Sequence, residues 1–229
     1  MSKRLNISPI LQPINKPYCG FACANMVFCF YGQPARPYDE IISKIHTTET
    51  GAWLQDLGIL FLKEGFDAII SAWSPTFPNY FSRLKFEEIR PELDRWCTDK
   101  TVIGRHIHKN NLGVFFAHGG ILVPRPVKIS QIIDAIDNDI PAILNLQVGL
   151  LWQHSHNHES RHGGHYVIPI AVEGEKVTII DPSWRPGIGG VKEYERDEIM
   201  HACYSWSSGA IFVAPKGEVE RLLKILGIK

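Results

Sequence analysis

Cys19-Gly20-Phe21-Ala22-Cys23-Ala24-Asn25-Met26-Val27-Phe28-Cys29-Phe30-Tyr31 is the stretch on which the reading of this 229-residue chain turns. It is apolar nearly all round, with Cys19, Cys23, Met26 and Phe30 at one helical spacing and Gly32 as a stop signal, so the pattern predicts a helix. A helix without a polar face belongs inside a core. The residues before it carry Pro9, Pro13 and Pro17, and because proline fixes φ and removes a donor they should run extended over the surface.

Working outward, helical spacing recurs over Tyr38 to Ile45, Trp53 to Lys63 and Phe86 to Trp96, the last after breaks at Ser74-Pro75 and Phe77-Pro78. Beyond Cys97 the texture changes to short strand candidates: Val114-Phe115-Phe116, Gly120 to Val123, Ala142 to Leu146, His165 to Val172, Lys176 to Ile180 and Ala210 to Val213. A short amphipathic helix, Ile129 to Ile136, ends before Pro141, and Glu173-Gly174-Glu175 supplies a tight hairpin. Helices first and an antiparallel sheet second predict an α+β fold. The expectation is one domain over 1–229, with a helical part at about 19–97, a sheet part at about 101–215 and a C-terminal helix at about 216–227.

Composition narrows the function classes. Hydrophobic residues make up 45% and charged residues 21%, which suits a globular core and not a disordered chain. Lys+Arg and Asp+Glu balance at 24 each, so no global field draws the protein to nucleic acid or an anionic membrane. The longest apolar stretch, Ile140 to Trp152, is interrupted by Asn145 and Gln147 and falls short of the ~18 apolar residues a membrane helix needs, so no membrane insertion is expected. The start, Met1-Ser2-Lys3-Arg4, is basic, yet Pro9, Gln12, Pro13 and Asn15 leave no secretory apolar run behind it, which predicts a cytoplasmic protein. Its five cysteines, three of them crowded at 19, 23 and 29, do not read as a disulfide framework and are taken as reduced.

A thiol at the first position of a buried helix sits where unpaired backbone N–H groups and the helix dipole favour negative charge. Cys19 has that position, with Gly20 after it to let a substrate approach; the competing reading is a packed core cysteine, which is adopted for Cys23 and Cys29. A thiolate needs a group that takes and returns its proton. Ten histidines compete, and His165 stands out because Gly163-Gly164 precede it and it opens the apolar strand HYVIPIAV. The hairpin brings the return strand KVTII back to end at Asp181-Pro182, making His165 and Asp181 cross-strand neighbours. A carboxylate there would fix the imidazole tautomer and stabilise its cation, although Asp-Pro also simply starts turns.

These residues resemble a known family. Gln12, then Lys16 to Val27, with Tyr31-Gly32 closing the helix, are similar to the amino-terminal motif of the bacteriocin-processing, double-glycine-leader peptidases and their relatives in the papain-like cysteine peptidase superfamily. The later runs Pro141 to Leu144, Gly163 to Ile168, the Gly174 hairpin, Thr178 to Pro182 and Ser208 to Val213 resemble that family's strand order and its catalytic histidine and aspartate signatures. The resemblance spans about Gln12 to Ala214 and implies a papain-like fold. It further implies Cys19 as nucleophile, His165 as general base and acid, Asp181 as orienter and Gln12, with the Cys19 N–H, as oxyanion donors. Six residues separate Gln12 from Cys19, one more than the family's usual spacing.

The resemblance implies a thiol-dependent hydrolase acting on a peptide, isopeptide or related amide of a peptide or protein substrate, with no cofactor. A Pro-x-x-Cys-Gly start to the helix also resembles phytochelatin synthases, which keeps acyl transfer open, and a noncatalytic peptide-binding module of the same fold is the rival from another class. Gly20, Gly164, Trp152 and Trp184 are expected to line the substrate groove, while Trp53 and Trp73 read as packing. The segment His154 to His162, with alternating histidines at 154, 156 and 158, is a candidate metal loop on imidazole chemistry. It reads better as a solvated loop, as do His106 and His108, so no metal ligand is assigned.

Overall fold

The structure is a computed structural model and describes residues 3–45, 51–73, 79–98, 111–151, 163–206 and 209–228. The expected nucleophile helix forms as α1, Cys19–Phe30; it is buried from Gly20 to Phe28, and Gly32 follows with φ +77°. Cys23 is fully buried, but Cys29 is exposed on the last turn, so α1 is not enclosed along its whole length and Cys29 is not the core cysteine expected. Helices α2, Tyr38–Lys44, α3, Leu54–Lys63, and α4, Phe86–Thr98, match the helical spacing of the first half.

Phe66–Ser71, between α3 and α4, is a strand, β1, buried at all six residues. Its sequence, FDAIIS, lacks the alternation that marks a half-buried strand because helices cover both faces of the sheet there. The sheet is therefore not drawn from the second half alone. Val114-Phe115-Phe116 differs from expectation too: it lies in a helix, α5, Leu112–Ala117. A three-residue apolar run carries no period that separates a strand from a buried helical turn. Here Phe115 is wedged over Gly58 of α3 and over Gly120, where a Cβ would lie 2.5 Å and 2.3 Å from its ring.

The remaining elements are β2, Ile121–Val123, α6, Ile129–Asp137, β3, Ala142–Gln147, α7, Val148–Leu151, β4, Gly164–Glu173, and β5, Lys176–Asp181. The chain continues through β6, Gly190–Glu195, and α8, Arg196–Tyr204, neither foreseen from sequence, then β7, Gly209–Pro215, and α9, Val219–Ile225. Among the described residues seven strands make one sheet in the order β2-β1-β7-β3-β4-β5-β6. The β1 and β2 strands pair in parallel, and every other pair is antiparallel. One helix set, α1 with α3 and α5, packs on β4, β1 and β7; another, α6 with α9, covers β4, β1 and β7 as well. Among the described residues no helix is long and apolar enough to cross a membrane.

Gly58 is where α3 meets α5, and adding a methyl there must displace the buried Phe115 ring. Gly58→Ala is expected to cost about 2 kcal/mol, read by urea unfolding, with Gly113→Ala, which meets nothing within 4 Å, losing none of that through packing.

Candidate active site

Cys19 is the first residue of α1, and no side chain caps that helix start, so its own N–H lacks an intrahelical acceptor. His165 comes from the second position of β4 and is only 6% exposed. Asp181 ends β5 and is completely buried. The imidazole Nε2 lies 2.7 Å from Asp181 Oδ1, and that oxygen also accepts the Ser183 N–H at 2.8 Å. With Nε2 taken by the carboxylate, Nδ1 is the ring nitrogen left for Cys19, which lines the same cleft as His165.

The two strands do not place Asp181 by simple hairpin pairing. Near the Gly174 turn, where φ is +56°, Glu173 faces Lys176 and Ala171 faces Thr178; past a bulge at Ile170 the register slips, so Pro169 faces Ile179 and Ile168 faces Ile180. Continuing that register sets Asp181 against Val167, on the same face as His165. Without the extra residue Asp181 would stand against Ile168, on the opposite face. The pair is thus a diagonal one made possible by the bulge.

Burial pushes the Cys19 thiol up, but the hydrogen bond and charge of His165, with backbone N–H groups of Tyr166 and Gly20, outweigh it, and the net shift is down. Burial pulls the His165 imidazole down, and the charge and hydrogen bond of Asp181 together with Cys19 push it up to about 10. The arrangement favours thiolate beside imidazolium. Cys23, one turn deeper, shows the contrast: burial, then the neighbouring Cys19, drives its thiol well above the ordinary range.

Two clefts meet at Cys19. One, of about 290 Å³, is lined by Gly51, Ala52, Trp53, Asn145, Tyr166 and Trp206, among others. The other, of about 320 Å³, is lined by Gln12, Lys16, His165, Ser183, Trp184 and Arg185, among others. Cys19, Pro17 and Gly164 line both. The structure thus brings Cys19, His165, Asp181, Gln12, Gly164 and Trp184 together. A Cβ on Gly164 would come 2.7 Å from Trp206 Nε1, so only glycine keeps that wall open. Gly20 lines neither cleft; it is buried, and a Cβ there would press on Leu57 and Tyr166 at 3.1 Å, so its smallness serves packing and not substrate approach. Trp152, His106, His108 and the His154 to His162 loop lie outside the described residues, and among the described residues no group of His, Cys, Asp or Glu could hold a metal ion.

Gln12 is tied by its N–H to the Pro182 carbonyl at 2.7 Å, and its Nε2 donates to the Lys16 carbonyl at 2.7 Å. That carbonyl requires a donor, which fixes the amide orientation and leaves the second N–H of the Gln12 amide for another acceptor. Sequence reasoning missed Tyr166, whose hydroxyl donates to the Ala52 carbonyl at 3.0 Å and so anchors one cleft wall to β4, and Trp206, 38% exposed on that cleft. Tyr166 follows His165 directly, which was the available signal; Trp206 had none.

A cysteine at the front of a buried helix, backed by a histidine and an aspartate from an antiparallel sheet, is the layout of a papain-like fold. In comparisons with solved structures the chain is similar to a C39-like peptidase from Bacillus anthracis at 11% identity and TM-score 0.50, over 94% of this chain and 98% of that one; the likeness shows the fold. It also aligns with the peptidase domain of Streptococcus ComA, a bifunctional ABC transporter involved in quorum sensing, at 14% identity and TM-score 0.47, covering 92% and 100%. A double glycine motif protease from an AMS/PCAT transporter, solved with its leader peptide, aligns at 12% and 0.49, covering 93% and 95%. No protein-family model and no curated protein sequence matches the chain.

Asp181→Asn is expected to return His165 from about 10 toward the ordinary imidazole value of about 6.5, read by NMR titration of the ring Cε1–H. Because the folded-state value is raised, the stabilisation is complete below the unfolded value and disappears as pH rises through about 10. The variant should therefore lose ~2 kcal/mol at neutral pH, and the gap to wild type should close at strongly alkaline pH.

Proposed function

We propose that this chain is a cysteine peptidase-like hydrolase that cleaves an amide bond through a Cys19 thioester. The observation that carries the reading is the buried pair in which Asp181 holds His165 at 2.7 Å, with His165 and Cys19, the first residue of α1, lining one cleft. A core cysteine needs no such partner, and a buried histidine bound only for packing has no reason to be polarised toward a thiol.

In this mechanism the Cys19 sulfur, its proton already on His165, attacks the substrate carbonyl carbon. The carbonyl oxygen takes up the electron pair and is met by the Cys19 N–H and the Gln12 amide, an oxyanion pair whose removal from comparable sites costs a few kcal/mol of barrier. The tetrahedral centre collapses, the C–N bond breaks, and the His165 proton goes to the departing amine. Water then gives a proton to His165 as its oxygen attacks the thioester, and the acid is released with Cys19 regenerated. Asp181 keeps the ring oriented and its cation stable throughout, and Ser183 holds Asp181.

The reading is tested by alkylating the protein with iodoacetamide and following the Cys19 peptide by mass spectrometry as a function of pH. Wild-type Cys19 should react well below the pH at which ordinary thiols do. His165→Ala should cut the rate near pH 6 by about two orders of magnitude, leaving the exposed Cys29 unaffected as an internal control. Equal, slow labelling of both cysteines, indifferent to His165, would remove the proposal. A trapped acyl group on Cys19 after exposure to activated peptide esters, absent in Cys19→Ala, completes the case.

A further inference from the structure

The residue that follows the proposed nucleophile and the residue that follows the histidine meet in the fold. Gly20 belongs to α1 and Tyr166 to β4, and a Cβ on Gly20 would come 3.1 Å from Cδ2 and 3.3 Å from Cε2 of the Tyr166 ring. The same Cβ would meet Leu57 Cδ1 of α3 at 3.1 Å. Gly20 is helical and has no positive φ, so its backbone does not call for glycine, which is a poor helix former. The space around it does. Leu57 is completely buried and Tyr166 is 6% exposed, and a close-packed interior leaves neither side chain an easy retreat.

The Tyr166 ring is held at both ends. Its backbone stands opposite Asn145 of β3, as that of His165 stands opposite Leu146, and its hydroxyl donates to the Ala52 carbonyl at 3.0 Å. Ala52 is itself confined by its neighbours. Gly51, with φ +116°, lies so close to Pro17 that a Cβ there would be 2.7 Å from the Pro17 carbonyl oxygen, and the Trp53 N–H is taken by Asp56 Oδ2 at 3.0 Å. A ring fixed in this way cannot swing aside, so it acts as a rigid spacer between helix and strand.

Cys19 and His165 are the immediate chain neighbours of the two residues in contact. The separation between the first turn of α1 and the start of β4 is therefore set beside the sulfur and the imidazole, whose mutual stabilisation as an ion pair weakens with distance. We infer that Tyr166 is a positioning residue: its ring, seated on Gly20 and tethered through its hydroxyl to Ala52, sets the gap between the Cys19 sulfur and the His165 imidazole. This rests on the peptidase reading above and adds the device that spaces its two reacting groups.

The test follows alkylation of Cys19 by iodoacetamide across pH, read on the Cys19 peptide by mass spectrometry, and compares the midpoint among variants that alter no charge. The ionisable groups bearing on this corner are His165, Asp181, Asp56 and Cys23, and every variant keeps them. Burial drives the Tyr166 phenol well above its ordinary range, so replacing it removes no anion. Gly20→Ala should raise the midpoint by about half a unit or more, because the added methyl pushes the helix start off the strand. Tyr166→Val removes the spacer and should raise it as well, whereas Tyr166→Phe keeps the ring and should stay within about 0.2 unit of wild type.

In Gly20→Ala/Tyr166→Val the methyl occupies vacated space, so the shift of the pair should be smaller than the sum of the single shifts. Ile225→Val trims one buried methyl from α9, which packs on β1 and β7, and should leave the midpoint where it is, which separates spacing from a general loss of stability. If Gly20→Ala does not fold, the contrast between Tyr166→Val and Tyr166→Phe decides alone. A midpoint indifferent to Gly20→Ala and Tyr166→Val, or moved as far by Tyr166→Phe or Ile225→Val, overturns the inference and leaves the peptidase reading standing. A wild-type Cys19 that titrates as an ordinary thiol overturns both.

Discussion

One buried contact, Asp181 Oδ1 to His165 Nε2 at 2.7 Å, sets the terms for everything around it. An imidazole with almost no solvent access loses its proton unless a carboxylate compensates, and a carboxylate with none at all needs donors of its own. The fold answers both demands with strand geometry. The bulge at Ile170 turns Asp181 to the histidine's face of the sheet, and the chain immediately after Asp181 curls so that Ser183 donates back to it.

The bulge has a further tie. The Leu5 N–H donates to the Ile170 carbonyl at 2.9 Å, which satisfies a ladder group that the slipped register leaves over, and Arg4 bridges to Ala171. The same amino-terminal segment then reaches Pro182, where it is bound through Gln12 at 2.7 Å. A stretch that sequence describes as proline-broken coil is thus pinned at the irregular point of β4 and again beside the aspartate. After a turn at Asn15, with φ +57°, the segment leads into α1, and Gln12 and Cys19 line one cleft.

Much of this was legible in the chain. The all-round apolar run from Cys19, the Gly163-Gly164 pair before His165, and Asp181 at the end of the returning strand could be read as one arrangement because each is encoded within a few residues. What escaped had non-local causes. FDAIIS at 66–71 carries no alternation, since helices on both faces bury all of it, Asp67 included; that carboxylate is met by the Gly217 N–H at 2.8 Å and Lys216 at 3.1 Å from the far end of the chain. The Val114 to Phe116 run became helical because Phe115 has glycines of two separate segments to rest on. The diagonal geometry of the histidine and aspartate depended on a register slip that no composition or spacing announces.

The strand order carries a consequence for how the molecule is born. Gly209–Pro215 lies between β1 and β3 and pairs with both, so until it inserts, the sheet is two separate pieces: β2 with β1 on one side, β3 to β6 on the other. The piece with β1 supports α3, and the other carries the imidazole on β4, the strand on which α1 packs. Distant pairings of this sort form late, after the loops they close have been brought together. Closure of the single sheet therefore waits on Gly209–Pro215, whichever of the two pieces forms first.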